Sequence, residues 1–220
     1  MFIDVVYFII LFTIALYGIY NYKRSVIAFR LLTILLSLTF FAEVLAYILA
    51  SAMHENVTVY KIYTPLHIVL FTLIYYSLMS SLSTKALTLT IGFIVFLFIT
   101  VLIINSDGQN FPNSIVSIDT GAIVLFSLIF FYEMIRTLSE DKLFISGLFW
   151  LNSSTLFYFS TKFAYWISFS YLFKHSPTIL NTLIRIFGLL DPLYYLLLGM
   201  SLYFHIQNNK REILINLGKQ

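Results

Sequence analysis

Apolar runs of about the 17 to 25 residues needed to cross roughly 30 Å of hydrocarbon occur seven times along this chain, separated by short polar breaks. The pattern predicts helices over residues 4–20, 26–50, 64–82, 86–104, 115–135, 144–171 and 178–204, an all-α bundle of seven transmembrane helices filling 1–207, with a short tail over 208–220. The third run is expected to start at Thr64 and Pro65, because threonine as N-cap followed by proline at the first helical position is a regular helix beginning. Asp191 and Pro192 are expected to interrupt the seventh run, since proline removes a backbone hydrogen bond and crowds the preceding turn; Pro192 is thereby a candidate hinge. The fourth run holds only threonines as polar residues within 86–104 and reads as lipid-facing or as a linker.

Composition supports the membrane reading. Hydrophobic residues make up 60% of the 220 residues and charged ones 10%, with a mean hydropathy of +0.91; soluble domains carry about 25% charged residues. The first run lacks a basic leader and a small-residue cleavage site, so it reads as a retained helix. With no cysteine, disulfides, thiolate catalysis and cysteine-ligated metals are excluded, and no basic cluster of nucleic-acid type is present. Basic residues set the expected orientation. Lys23, Arg24, Lys85, Arg136, Lys142, Lys210, Arg211 and Lys219 fall on one side of the seven-span layout, against Lys61 and Lys174 on the other. The N-terminus is therefore expected outside and the C-terminus in the cytoplasm.

Against this background the charges inside the runs need a reason. A lysine at the centre of a membrane helix costs roughly 2.5 to 3.5 kcal/mol on the insertion scale, so such residues face the bundle interior and a partner. Lys162 lies in the aromatic stretch WLNSSTLFYFSTKFAYWISF, and Thr155, Tyr158, Lys162 and Tyr165 share one helical face with it. Counting along each run puts Glu43, His67, Asp119 and Arg185 at a similar depth in the outer half, with Asp191 and Tyr195 near the midplane. These nine positions, Glu43, His67, Asp119, Tyr158, Lys162, Tyr165, Arg185, Asp191 and Tyr195, are the candidate ligand pocket or buried charge network. The plainer alternative is that they are ion pairs and hydrogen bonds holding helices together, each contributing about 1 to 2 kcal/mol or less.

No catalytic residue, metal site or cofactor is assigned. The four histidines, His54, His67, His175 and His205, are scattered over both ends, and no HExxH, GxSxG or GxGD signature occurs. The last run has no lysine, which departs from the microbial rhodopsins. DPLYY at 191–195 is similar to the Asn/Asp-Pro-x-x-Tyr motif of rhodopsin-like receptors, but Tyr195 lies near midmembrane and no DRY-like triplet follows the third run. Sugar transporters of the SWEET type share the size and a 3+1+3 plan in which the fourth helix is a linker, yet their Pro-Gln turn is missing.

FWLNSSTLFYFSTKF from Phe149, YKIYTPLHIVLF from Tyr60 and LYYLLLGMSLYF from Leu193 make the chain resemble a group of small, uncharacterised bacterial seven-helix membrane proteins. Similar helical sets serve as membrane input modules of histidine kinases. The resemblance implies a sensory role and a multi-pass protein of the bacterial inner membrane. The expected function is that of a receptor-like or accessory signalling protein whose partners are the lipid bilayer, a small-molecule ligand and a cytoplasmic or membrane signalling protein. The alternative is a small-molecule or proton-coupled transporter, which requires the polar stripes to continue to the cytoplasmic side; the inner halves of the fifth and sixth runs are mostly Phe, Leu and Ile. A dry layer under the pocket is accordingly expected at Phe126, Phe130, Leu148 and Leu197.

Overall fold

In a computed structural model, the described residues 2–53, 56–106, 113–137 and 145–217 form seven α-helices and no strand. The helices are α1 (Phe2–Tyr20), α2 (Ile27–Met53), α3 (Val57–Leu78), α4 (Leu82–Ile104), α5 (Asn113–Thr137), α6 (Gly147–His175) and α7 (Pro177–Leu217), with a short 3-10 turn at Tyr22–Arg24. Most of the NSDGQNFPNS break, the SEDK break, His54 and the expected start of the sixth helix at Phe144 lie outside the described residues.

Five helices, α2, α3, α4, α5 and α7, are long and apolar enough to cross a membrane, and α1 contributes a shorter apolar helix, Val5–Tyr20. α6 has the length, 29 residues, but Asn152, Ser153, Ser154, Thr155, Ser160, Thr161 and Lys162 lower its hydropathy. Of these, Asn152, Ser154 and Thr155 are buried in the bundle. A helix whose polar residues face inward among other helices is stabilised where an isolated one is not.

Two boundaries differ from expectation for physical reasons. α3 begins at Val57, leaving Pro65 inside the helix. An interior proline costs about 3 kcal/mol, and the added turns offset it by packing: Val59 is buried, Tyr60 reaches Glu43, and Tyr63 bonds Thr39 across to α2. α7 is likewise unbroken through Pro192 and continues to Leu217, so 208–217 is a helical extension and not a separate tail. The residue four positions before this proline, whose carbonyl its ring crowds, is Gly188, the most adaptable backbone.

The helices pack in a closed ring, α1 on α2, α2 on α3, α3 on α5, α5 on α6, α6 on α7 and α7 back on α1, while α4 lies outside against α3 and α5. α4 buries only Thr88, Gly92 and Ile99. Gly92 is required by the close approach of α3, since a Cβ there would overlap the Thr72 side chain.

One carboxylate fixes the start of α4. Glu133 near the end of α5 accepts the backbone N–H groups of Ser80 and Ser81 at 2.9 and 3.4 Å and the hydroxyls of Ser80 and Thr84. The first N–H groups of a helix have no intrahelical partner, and negative charge there is favourable. Glu133→Ala is therefore expected to lower stability by about 1 kcal/mol, read as a shift in the denaturant midpoint of purified protein. No shift would mean that water replaces the carboxylate without loss.

The other connections at this end of the ring are equally specific. Arg30 folds back onto the carbonyls of Ser25 (2.7 Å), Tyr22 and Lys23, adding its guanidinium to the end that carries Lys23 and Arg24. His205 of α7 stacks on Phe29 of α2 at 4.0 Å and accepts the Val26 N–H. Ser201 donates to the Gly147 carbonyl at 2.6 Å, and a Cβ at Gly147 would strike the α7 backbone.

Candidate functional site

The ring encloses a cavity of about 530 Å³. Its lining reaches Asn56 and Val57 at the start of α3 and Asn113 at the start of α5, and it descends to Leu35, Phe71 and Leu198. It lies in the half of the bundle away from Lys23, Arg24 and Lys85. Every ring helix contributes: Tyr7 from α1, Thr39 and Glu43 from α2, Tyr60, Tyr63 and His67 from α3, Asp119 from α5, Tyr158 and Lys162 from α6, and Asp191 and Tyr195 from α7.

The centre of the site joins α6 to α7. Lys162 Nζ lies 3.2 Å from Asp191 Oδ1, and the Tyr158 hydroxyl donates to the same oxygen at 2.6 Å. The ammonium also sits 4.7 Å above the Tyr158 ring, whose other face stacks on Tyr194 at 4.0 Å and 2°. Lysine, tyrosine and aspartate thus form a compact triangle with its charge shared among three groups. The side chains of Lys162 and Asp191 keep 28% and 33% exposure; in the interior of the ring, that exposure is to the cavity.

A second pair joins α3 to α5. His67 Nδ1 and Asp119 Oδ2 are hydrogen-bonded at 2.9 Å, with side chains only 11% and 7% exposed. The imidazole is held by Tyr63, Phe71 and Phe159, with ring centroids at 5.2, 4.8 and 5.8 Å. Asp119 Oδ1 is buried without a hydrogen-bond partner among the described residues. On the α2–α3 side, the Tyr60 hydroxyl donates to Glu43 Oε2 at 3.3 Å, and no basic side chain among the described residues forms an ion pair with Glu43.

Seven of the nine sequence candidates therefore line one cavity: Glu43, His67, Asp119, Tyr158, Lys162, Asp191 and Tyr195. Tyr165 and Arg185 do not. Tyr165 follows Lys162 by three residues, a turn of about 60° away from its direction, and packs on Phe187 of α7 at 4.5 Å and on Trp166 and Phe169. Arg185 is exposed, six residues before Asp191 and about 120° around the helix from it. Of the three α7 candidates, Arg185, Asp191 and Tyr195, only the last two therefore turn inward.

Below the cavity the ring closes on packed side chains. Tyr75, Phe126 and Phe130 are buried, with Tyr75 centred 6.1 Å from each of the two phenylalanines. Of the expected dry layer, Phe126 and Phe130 are in the core, while Leu148 and Leu197 are half-buried at its edge. The layer has a polar lock that sequence reading missed. Asn152 Oδ1 accepts the hydroxyls of Tyr75 (3.0 Å) and Ser127 (2.7 Å), and Asn152 Nδ2 donates to the Ser127 carbonyl at 3.2 Å, tying α3, α5 and α6. The signal was the one asparagine of α6, at the head of the polar stretch Asn152, Ser153, Ser154, Thr155. Tyr7, Tyr60, Tyr63, Tyr194 and Trp166 were also missed; in a chain with 16 tyrosines, none stands out until the ring closes.

No group of three or more metal-ligating side chains occurs among the described residues. Comparison with protein-family models, with curated proteins and with solved structures finds no match to this chain.

Proposed function

We propose that this protein is a multi-pass receptor of the cell membrane, with all seven helices spanning the bilayer, the N-terminus outside and the C-terminus in the cytoplasm. A small molecule enters the cavity from outside and alters the Lys162–Asp191–Tyr158 triangle. The observation that carries this reading is the asymmetry of the cavity: its lining reaches one end of the ring, and below it lie Phe126, Phe130, Tyr75 and the Asn152 lock. A receptor needs a ligand entrance on one side and a structure that shifts in population on the other. α7 supplies a mechanical path, because it carries Asp191, Tyr194 and Tyr195 at the cavity and runs as one helix to Leu217, about 39 Å further along at 1.5 Å per residue. In this reading the extension of α7 meets a cytoplasmic or membrane signalling partner.

The carrier alternative is favoured by one feature. The ring consists of two consecutive triplets, α1–α3 and α5–α7, with α4 outside, as in carriers built from repeats. Such a carrier must open the central site to both sides.

Single cysteines decide between the two, and the chain has none of its own. Cysteine at Asn56 or His175 is expected to react with an impermeant reagent in intact cells, and cysteine at Ser83 or Gln207 only in inverted membranes. Cysteine at Phe130 or Leu197 is expected to stay protected from both sides. Reaction at Phe130 and Leu197 from the cytoplasmic side would replace the receptor with the carrier, and reversal of the first pattern would remove the orientation.

A further inference from the structure

The charge inside the cavity differs from what a near-neutral set of three acids and two bases would give, because Arg185 is outside it. Three carboxylates, Glu43, Asp119 and Asp191, line the space against one lysine and one histidine, and both of those are already engaged by Asp191 and Asp119. The acceptors are in excess. Glu43 receives one hydroxyl, from Tyr60, and no ion pair among the described residues. Asp191 spends a single oxygen, Oδ1, on both Lys162 and Tyr158. Independently of this count, Asp119, with its side chain 93% buried at the cavity wall, has an oxygen that no described group satisfies. An unmatched buried acceptor is costly, and it belongs to a carboxylate of the cavity lining, where it adds to the excess of acceptors over donors.

The walls point the same way. Tyr60, Tyr63, Trp166 and Tyr195 line the cavity together with Phe71 and Phe159. Aromatic faces attract cations and pack against apolar bodies, and a desolvated site strengthens both effects. An anion would meet three carboxylates and a lysine already neutralised by one of them.

We propose that the cavity binds a small organic cation, an ammonium with N–H donors and an apolar or aromatic body, with Glu43 as its principal counter-charge. This rests on the receptor reading in taking the cavity as a ligand site, and it specifies the ligand's chemistry. The ammonium lies among Glu43, Asp119 and Asp191, and its body packs on the aromatic wall. The volume, about 530 Å³, is within the range of roughly 300 to 1,000 Å³ found for small-molecule sites.

The test compares three probes of nearly equal shape on the purified full chain in detergent: phenethylammonium, phenylethanol and phenylacetate, one positive, one neutral and one negative at neutral pH. Binding is read by titration of the thermal midpoint and of tryptophan fluorescence. Phenethylammonium is expected to bind saturably and at least tenfold more tightly than the other two, and Glu43→Gln to lose at least tenfold of that affinity while retaining cooperative unfolding. Equal or tighter binding of phenylacetate overturns the proposal, making Lys162 the anchor. Absence of saturable binding by phenethylammonium also overturns it. The comparison on the unaltered chain stands even if Glu43→Gln fails to fold. Cation preference with cytoplasmic labelling at Leu197 would keep the ligand class and remove the receptor. Phenylacetate preference with Leu197 protected would do the reverse.

Discussion

Replacing Asn152 by leucine is expected to cost about 2 to 4 kcal/mol of stability, because the substitution strips partners from buried groups on two neighbouring helices. Asn152 is fully buried and accepts both the Tyr75 and Ser127 hydroxyls while donating to the Ser127 carbonyl. An ordinary hydrogen bond between membrane helices contributes only about 0.6 kcal/mol on average. The expected effect is larger because leucine removes the Asn152 acceptor from the fully buried Tyr75 hydroxyl and the Asn152 amide from Ser127. Adding Tyr75→Phe removes the hydroxyl that lost this acceptor and is expected to recover about 1 kcal/mol or more. The check is a double-mutant cycle by unfolding of purified protein; strict additivity would mean that Tyr75 and Asn152 are not coupled. The same variant should make cysteine at Phe130 more reactive, since the lock closes the layer in which Phe130 lies.

What was legible in the sequence follows from how membrane chains encode structure. Hydropathy registers the apolar helices because each backbone must bond to itself in hydrocarbon, and α2, α4 and α5 appear close to their expected bounds. α3 and α7 departed from theirs because local proline rules competed with packing that the sequence does not display. Val59, Tyr60 and Tyr63 hold the early turns of α3 against α2. Charge inside a run was the reliable pointer to the cavity, as for Lys162, Asp191, Glu43 and Asp119. It failed at Arg185, where depth is readable but helical phase is not: a residue about 120° from the inward face has the same depth as one that lines the pocket. Aromatic contributors were illegible for the opposite reason. Phe and Tyr are spread over every run, so Tyr7 and Tyr63 carry no local signal that separates a cavity wall from a lipid-facing ring.

Lys162→Met is expected to destabilise the protein by about 1 to 3 kcal/mol, and a second substitution at Asp191 to restore most of it. Removing one member of a fully buried ion pair costs about 3 to 5 kcal/mol because the other charge is left uncompensated. Here Lys162 and Asp191 keep roughly a third of their side-chain surface open to the cavity, so the remaining carboxylate is partly hydrated and the cost is smaller. Methionine keeps the length of the stem and its packing, which confines the change to the ammonium, its bond to Asp191 and its contact with the Tyr158 ring. With Lys162→Met alone, Asp191 retains the Tyr158 hydroxyl as its protein donor. With Asp191→Asn added, no net charge is left at that point and the amide oxygen still accepts from Tyr158. The double variant should therefore be more stable than Lys162→Met by at least about 1 kcal/mol. If Lys162 instead compensates chiefly for Glu43, the acid of the cavity that has a hydroxyl donor but no ion pair among the described residues, then Glu43→Gln will rescue and Asp191→Asn will not. That outcome would replace the α6–α7 triangle with an α2–α6 coupling as the charge contact on which the proposed receptor mechanism turns.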